Sequence, residues 1–177
     1  MDLTERTTSS QTLYKGKIID LELHDVVLPD GKNAKREIVR HKECVAVLAV
    51  DEDENVILVE QYRKPIDGVI LEIPAGHIEE GETPELAAKP ELLEETGFVA
   101  TEMTYVNKYY TSPGFSDELI YFFLARGYNT SQRNPDEDEF ITVKRLSAKD
   151  FIRLIDDHGT TDEKAMLAAY YYQARFM

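Results

Sequence analysis

The chain has 177 residues but only one cysteine, 20 basic side chains against 34 acidic ones, and no apolar run near the ~20 residues of a membrane span. Each shortage excludes something. A single cysteine cannot close an intramolecular disulfide, and Cys44 lies in the apolar run CVAVLAV, so it is expected to be a buried small hydrophobe rather than a nucleophile. The formal charge of −14 and pI near 4.7 argue against nucleic acid or an anionic membrane as partner, because binding there needs clustered Lys and Arg. The N-terminal MDLTERTTSS is polar and acidic, without the apolar core of a signal peptide, and cytoplasmic location is the expectation. His24, His41, His77 and His158 have no metal-ligand spacing. No repeat or low-complexity tract appears, and the length suits one domain with a sizeable core.

What is present is a succession of short strand patterns broken by turns. From Lys17 to Leu28, Ile19, Leu21 and Leu23 alternate with Asp20, Glu22 and His24, which predicts a strand with one buried face. Pro29-Asp30-Gly31-Lys32 turns the chain into a second strand, NAKREIVRH. CVAVLAV and NVILVEQY form another pair around residues 51–54, and VILEIP, YVNKYY, LIYFFLA and FITVKRL add further strands. Helices are expected over residues 147–157 and 161–176, with Ser147 and Thr161 as caps. Strands and helices in this order predict an α+β domain with helices packed on a mixed sheet.

The stretch GHIEEGETPELAAKPELLEETGF carries the chemistry. Thr83 is an N-cap, Pro84 stands at the first helical position where its missing N–H is harmless, and Gly97 ends the helix. Glu91 and Glu95 are one turn apart with Glu94 between them, so three carboxylates leave one side of the helix. Carboxylates this close repel unless a cation sits among them. Such an oxygen set suits Mg2+ or Mn2+ better than zinc, commonly with substrate phosphate oxygens as further ligands. A lone ExxEE would ordinarily be the solvated face of a helix. Here it follows a strand, the break Pro74-Ala75-Gly76, and a loop with Gly81 and Glu82.

This stretch resembles the Nudix box, in which a glycine and a glutamate precede the run R-E-U-x-E-E-x-G-U, U being aliphatic or aromatic. Gly76, Glu82, Glu91, Leu92, Glu94, Glu95, Gly97 and Phe98 all match. Pro90 stands where the family has arginine. In similar proteins that arginine holds the loop and orients a metal-binding glutamate, and proline can do neither. Inside a helix proline costs about 3 kcal/mol. That is heavy against a domain stability of about 5–15 kcal/mol. Two readings follow: a natural adaptation with a kinked helix and altered activity, or one substitution in a site otherwise tuned for work. The intact surroundings favour the second.

The segment Thr111-Ser112-Pro113-Gly114-Phe115-Ser116-Asp117-Glu118 is turn chemistry between aromatic-rich strands, and it resembles a segment of the ADP-ribose pyrophosphatases within the Nudix group. The resemblance implies a Nudix-type α/β/α sandwich over residues 43–177. An antiparallel β extension over residues 1–42 would help build a homodimer. It further implies two or three Mg2+ (or Mn2+) ions per site, held by Glu91, Glu95, Glu139 and the Ala75 carbonyl with Glu94 in support, neutralising a diphosphate and activating water. Glu137, in the acidic loop NPDEDEF, matches the residue near the attacking water. Arg63, and more loosely Arg36, match phosphate-contacting arginines, Glu72 a position near the terminal ribose, and Pro113 the substrate-side loop. Gly76, Glu82, Pro90 and Gly97 are structural positions of the motif. Without the resemblance, Glu72 would pass for a solvent-facing residue on a strand. Adenine would stack on an aromatic ring, with Tyr62 beside Arg63 as the candidate.

The reaction implied is hydrolysis of ADP-ribose to AMP and ribose 5-phosphate. Alternatives are a Nudix hydrolase for another nucleotide sugar or a dinucleoside polyphosphate, or a module that binds ADP-ribose without cleaving it because of Pro90.

Overall fold

A computed structural model describes residues 2–130, 133–134, 140–157 and 159–177. The described residues form ten strands, β1 (Arg6–Lys15), β2 (Ile19–Val27), β3 (Asn33–His41), β4 (Cys44–Asp51), β5 (Asn55–Arg63), β6 (Gly68–Glu72), β7 (Ala75–His77), β8 (Phe98–Tyr110), β9 (Leu119–Asn129) and β10 (Thr142–Ser147). Three α-helices accompany them: α1 (Pro84–Thr96), α2 (Ala148–Asp156) and α3 (Glu163–Phe176). The chain divides into two compact units, Met1–Cys44 with Lys108–Ile120, and Val45–Asn107 with Tyr121–Met177.

The first unit is an antiparallel sheet in the order β1-β2-β3, joined by the 108–120 segment. Gly31, at φ 84, makes the β2–β3 turn, a backbone state that glycine reaches without strain. Val39 N–H donates to Phe115 O at 2.7 Å and Asp117 N–H to Val39 O at 3.2 Å, so the SPGFSDE segment lies beside β3 as a short parallel addition. Asp117 fixes it by accepting from His41 N–H at 2.8 Å and Arg40 Nη1 at 2.9 Å.

One sequence expectation fails in this unit. The alternation in β2 does not produce one buried face: Ile19 is exposed, and Val26 is the strand's buried residue. Among its described residues the unit has no helix of its own, and burial along β2 stays shallow. β1 lies within the β extension implied for residues 1–42, but no strand pattern singles it out, because RTTSSQTLYK is exposed along its whole length and carries no apolar alternation.

In the second unit the main sheet runs β10-β5-β4-β9-β8, with β6 on β5 and β7 on β4. β4 is buried at every position, which is why CVAVLAV has no polar face: side chains on both sides of the sheet are covered. On one side Val45, Val47, Ala49, Ile57, Phe98 and Phe123 pack against Ala87, Ala88 and Leu92 of α1. α2 and α3 contribute a further buried group, Phe151 and Ile155 from α2 and Ala165, Ala168, Ala169 and Tyr172 from α3. Ser147 caps α2 as expected, whereas the cap of α3 is Asp162 and not Thr161. Its Oδ2 accepts from Ala165 N–H at 2.8 Å, a stronger charge-assisted acceptor than a hydroxyl would be.

Candidate active site

The acidic helix is built as its local chemistry dictates. Thr83 is extended and its hydroxyl accepts from Leu86 N–H, Pro84 occupies the first turn, and Gly97 closes the helix in the left-handed region at φ 73. Gly97 N–H donates to Leu93 O at 2.8 Å, and Gly97 O accepts from both Thr130 N–H and Thr130 Oγ1 at 2.8 Å. α1 is unbroken through Pro90. Pro90 lies on the exposed side, next to exposed Lys89, so water can reach the Leu86 carbonyl that its missing N–H leaves without a helical donor.

The apolar stripe of α1 runs Ala87, Ala88, Leu92, and then Glu95 takes the next buried position at 2% exposure. Glu95 Oε2 accepts from Ala75 N–H at 3.2 Å, which ties the last turn of α1 to the start of β7. Glu91 lies against Gly76 so closely that a Cβ on that glycine would collide with the Glu91 carboxylate. Glycine at 76 thus leaves room for the Glu91 carboxylate and is not called for by backbone torsion. Glu94 is exposed, and its carbonyl accepts from Asn134 N–H at 3.0 Å. Glu82 closes the preceding loop, its carboxylate accepting from Glu79 N–H at 3.3 Å while Gly81 takes φ 87.

Of the residues singled out in the sequence, Ala75, Gly76, Glu91 and Glu95 come together at the contact of α1 with β7. Hard oxygen donors on a cradle that admits no side chain fit a divalent cation of the magnesium type. Glu137 and Glu139 lie outside the described residues. Arg36 and Pro113 belong to the first compact unit, where Arg36 holds Glu5 through Nε at 2.8 Å and Nη2 at 2.5 Å. Tyr62 is exposed, and its hydroxyl donates to Asp67 at 2.8 Å. Among the described residues, an open cleft of about 510 Å³ meets α1 only at Thr96 and is not lined by Glu91, Glu94 or Glu95.

Glu72 is not solvent-facing. It is 1% exposed and accepts from Arg63 Nε at 2.6 Å and Nη2 at 2.9 Å, a bidentate pair. Lys164 Nζ lies 3.0 Å from Glu72 and 2.6 Å from Asp162. Burial pushes the Glu72 carboxyl up, but Arg63 and Lys164 outweigh it and hold it below the ordinary value. Burial raises Asp162. Burial alone would lower Lys164, yet the two carboxylates keep its ammonium above its ordinary value. Sequence reading missed Asp162 and Lys164, since Asp-x-Lys before an alanine-rich helix reads as an ordinary cap and first turn.

The fold is shared with a solved structure. It superposes on the crystal structure titled ADP compounds hydrolase with a TM-score of 0.86, covering 99% of this chain and 98% of that one at 22% identity, a likeness that carries the fold alone. The NUDIX domain matches residues 40–169, and the nucleoside diphosphate sugar hydrolase N-terminal domain matches residues 5–39. The chain belongs to the Nudix family and is a hydrolase of the nucleoside diphosphate sugar class. It is 44% identical over 175 residues to the ADP-ribose pyrophosphatase of Bacillus subtilis, 98% of this chain and 95% of that protein. It is also 39% identical over 171 residues to the methanol dehydrogenase activator of Bacillus methanolicus, covering 96% and 92% of the two chains.

Proposed function

We propose that the protein hydrolyses the diphosphate bond of ADP-ribose to AMP and ribose 5-phosphate in a Mg2+-dependent reaction. The observation that carries this reading is the pair Glu91 and Glu95, one packed on Gly76 and the other bonded to Ala75 N–H, so that both carboxylates border the small-residue start of β7. Likeness to an ADP-ribose pyrophosphatase along nearly the whole chain supports the choice of substrate.

Mg2+ (or Mn2+), two or three ions, would be held by Glu91, Glu95, Glu139 and the Ala75 carbonyl, with Glu94 in support. When bound, the metal supplies Lewis acidity at the phosphoryl oxygens and charge neutralisation of the diphosphate. Glu137 is the candidate base, and Arg63 offers a guanidinium whose Nε and Nη2 are fixed on Glu72 while Nη1 remains for a phosphate oxygen. Arg36 and Pro113 belong to the substrate side of the proposal, as does a homodimer built through residues 1–42, with residues 43–177 as the hydrolase domain. The reaction is placed in the cytoplasm.

Incubation with ADP-ribose and Mg2+, beside ADP-glucose and a diadenosine polyphosphate at equal metal, tests the reading. AMP release fastest from ADP-ribose is expected, falling by more than about a hundredfold in Glu95→Gln, beyond the 10- to 100-fold that even outer-shell partners of a metal cost. Faster cleavage of another conjugate would reassign the substrate. Ligand-induced stabilisation without AMP would make the protein a binding module.

A further inference from the structure

Four buried or half-buried charges alternate in sign from the start of α3 through β6 to the end of β5: Asp162, Lys164, Glu72 and Arg63. Thr160 fastens this region, donating from Oγ1 to Leu71 O at 2.6 Å and accepting from Asp162 N–H at 3.1 Å. Side chains of Lys164 and Asp162 are 17% and 6% exposed, so neither charge is freely solvated. Isolated, each would be strongly disfavoured there, and a buried pair is often no more stable than an apolar replacement. Core stability therefore does not require such a chain. Geometry gives it another use, because its last member, Arg63, is the one that opens outward at 43% exposure.

Glu72 can hold Arg63 in one plane only while it stays ionised and still. Arg63 alone would bind both its oxygens and leave the carboxylate free to swing with a half-exposed guanidinium. Lys164 prevents that by engaging Oε2 as a second cation, and Asp162, whose other oxygen caps α3, fixes Lys164 in turn. Both nitrogens that Arg63 commits face Glu72, and Nη1 makes no hydrogen bond among the described residues.

We propose that Lys164 is a positioning residue for substrate binding: held by Asp162, it locks Glu72 and so presents the Nη1 edge of Arg63 to an oxyanion of the substrate. This rests on the diphosphate substrate proposed above. Lys164 acts through Arg63 and not on the reacting atoms, so its loss weakens binding more than turnover.

The test uses Lys164→Met, Lys164→Arg and Asp162→Asn in the full chain, with steady-state kinetics on ADP-ribose and Mg2+. It adds the 15N-resolved Arg63 Nε–H signal, assigned by its disappearance in Arg63→Lys. For Lys164→Met a KM rise of about tenfold is expected with kcat within about threefold, together with loss of solvent protection at Nε–H. Lys164→Arg restores both to within about threefold. Asp162→Asn keeps an equally good cap, so it remains folded if Lys164→Met does not; a KM rise of three- to fivefold with partial loss of protection is expected. Unchanged KM, or a changed KM with an unchanged Nε–H signal, overturns the proposal. If the wild type releases no AMP, it is the substrate reading that fails, and the Nε–H signal in the same variants judges the positioning chain by itself.

Discussion

Gly76 has an unusual reason to be glycine. Its backbone torsion does not demand one, but the volume a Cβ would fill belongs to the Glu91 carboxylate. β7 is paired to β4, so the strand cannot simply back away. In Gly76→Ala the glutamate must therefore move, and the metal-binding geometry moves with it. We expect a 10- to 100-fold fall in AMP release with a stability loss under about 1 kcal/mol, because the atoms displaced are the movable end of a side chain and not packed core. Paired assays of turnover and chemical denaturation check this, and wild-type turnover in the variant would remove Glu91 from its assigned place.

The same scale shows where sequence reading reaches its limit. Glu95 was legible as a chemical residue because a carboxylate sits in register with the apolar stripe of α1. Glu72 was not legible as a buried one. Its partners lie 9 residues away, at Arg63 on the neighbouring strand, and in α3 at Lys164. No local pattern links these positions.

Among the elements, α1 is the one whose limits could be read directly. Thr83, Pro84 and Gly97 act through bonds and torsions within a turn of themselves, and the structure uses each as expected. Its flaw is Pro90. The helix continues through it because the proline faces outward, but the Leu86 carbonyl has lost its helical donor. Pro90→Arg should restore that bond, raising stability by about 1–3 kcal/mol and the melting temperature by roughly 3–10 °C. Turnover should rise as the helix ties down the loop before it. Calorimetry and AMP release on the two proteins decide the point, and a reverted protein neither faster nor more stable would make Pro90 a settled feature of this enzyme. β1 shows the opposite case: a ten-residue strand held largely by its pairing with β2 and by bonds such as Ser9 Oγ to Asp25 at 2.8 Å, with no apolar alternation to announce it.

Across the chain, acid stability should follow the carboxylates that are paired on folding. Asp51 is 4% exposed; burial pushes its carboxyl up, but the N–H groups of Asn55 and Asp53 and the Arg145 guanidinium outweigh that and set it below its ordinary value. A carboxyl lowered on folding adds stability that is fully present above its unfolded pKa and lost as pH falls through the folded one. Asp162, raised by burial, works in the reverse sense. Stability measured by denaturant against pH should therefore drop on the acid side, and Asp51→Asn should lower it near neutrality while flattening the acid limb. An acid limb as steep as in the parent would exclude Asp51 as a contributor. The net charge of −14 also repels an anionic substrate, which is why metal ions and local arginines must offset the field at the site.

By itself the sequence determined the alternation of strands and helices, the ends of α1, the buried course of β4 and the acidic motif that marks the family. These depend on periodicity, capping and turn chemistry, which act over a few residues. Only the tertiary structure decided that Glu91 rests on Gly76, that Glu95 is bonded to Ala75, and that Glu72 joins Arg63 to Lys164 and Asp162. Those contacts unite segments far apart in the chain, and packing, not local preference, selects them.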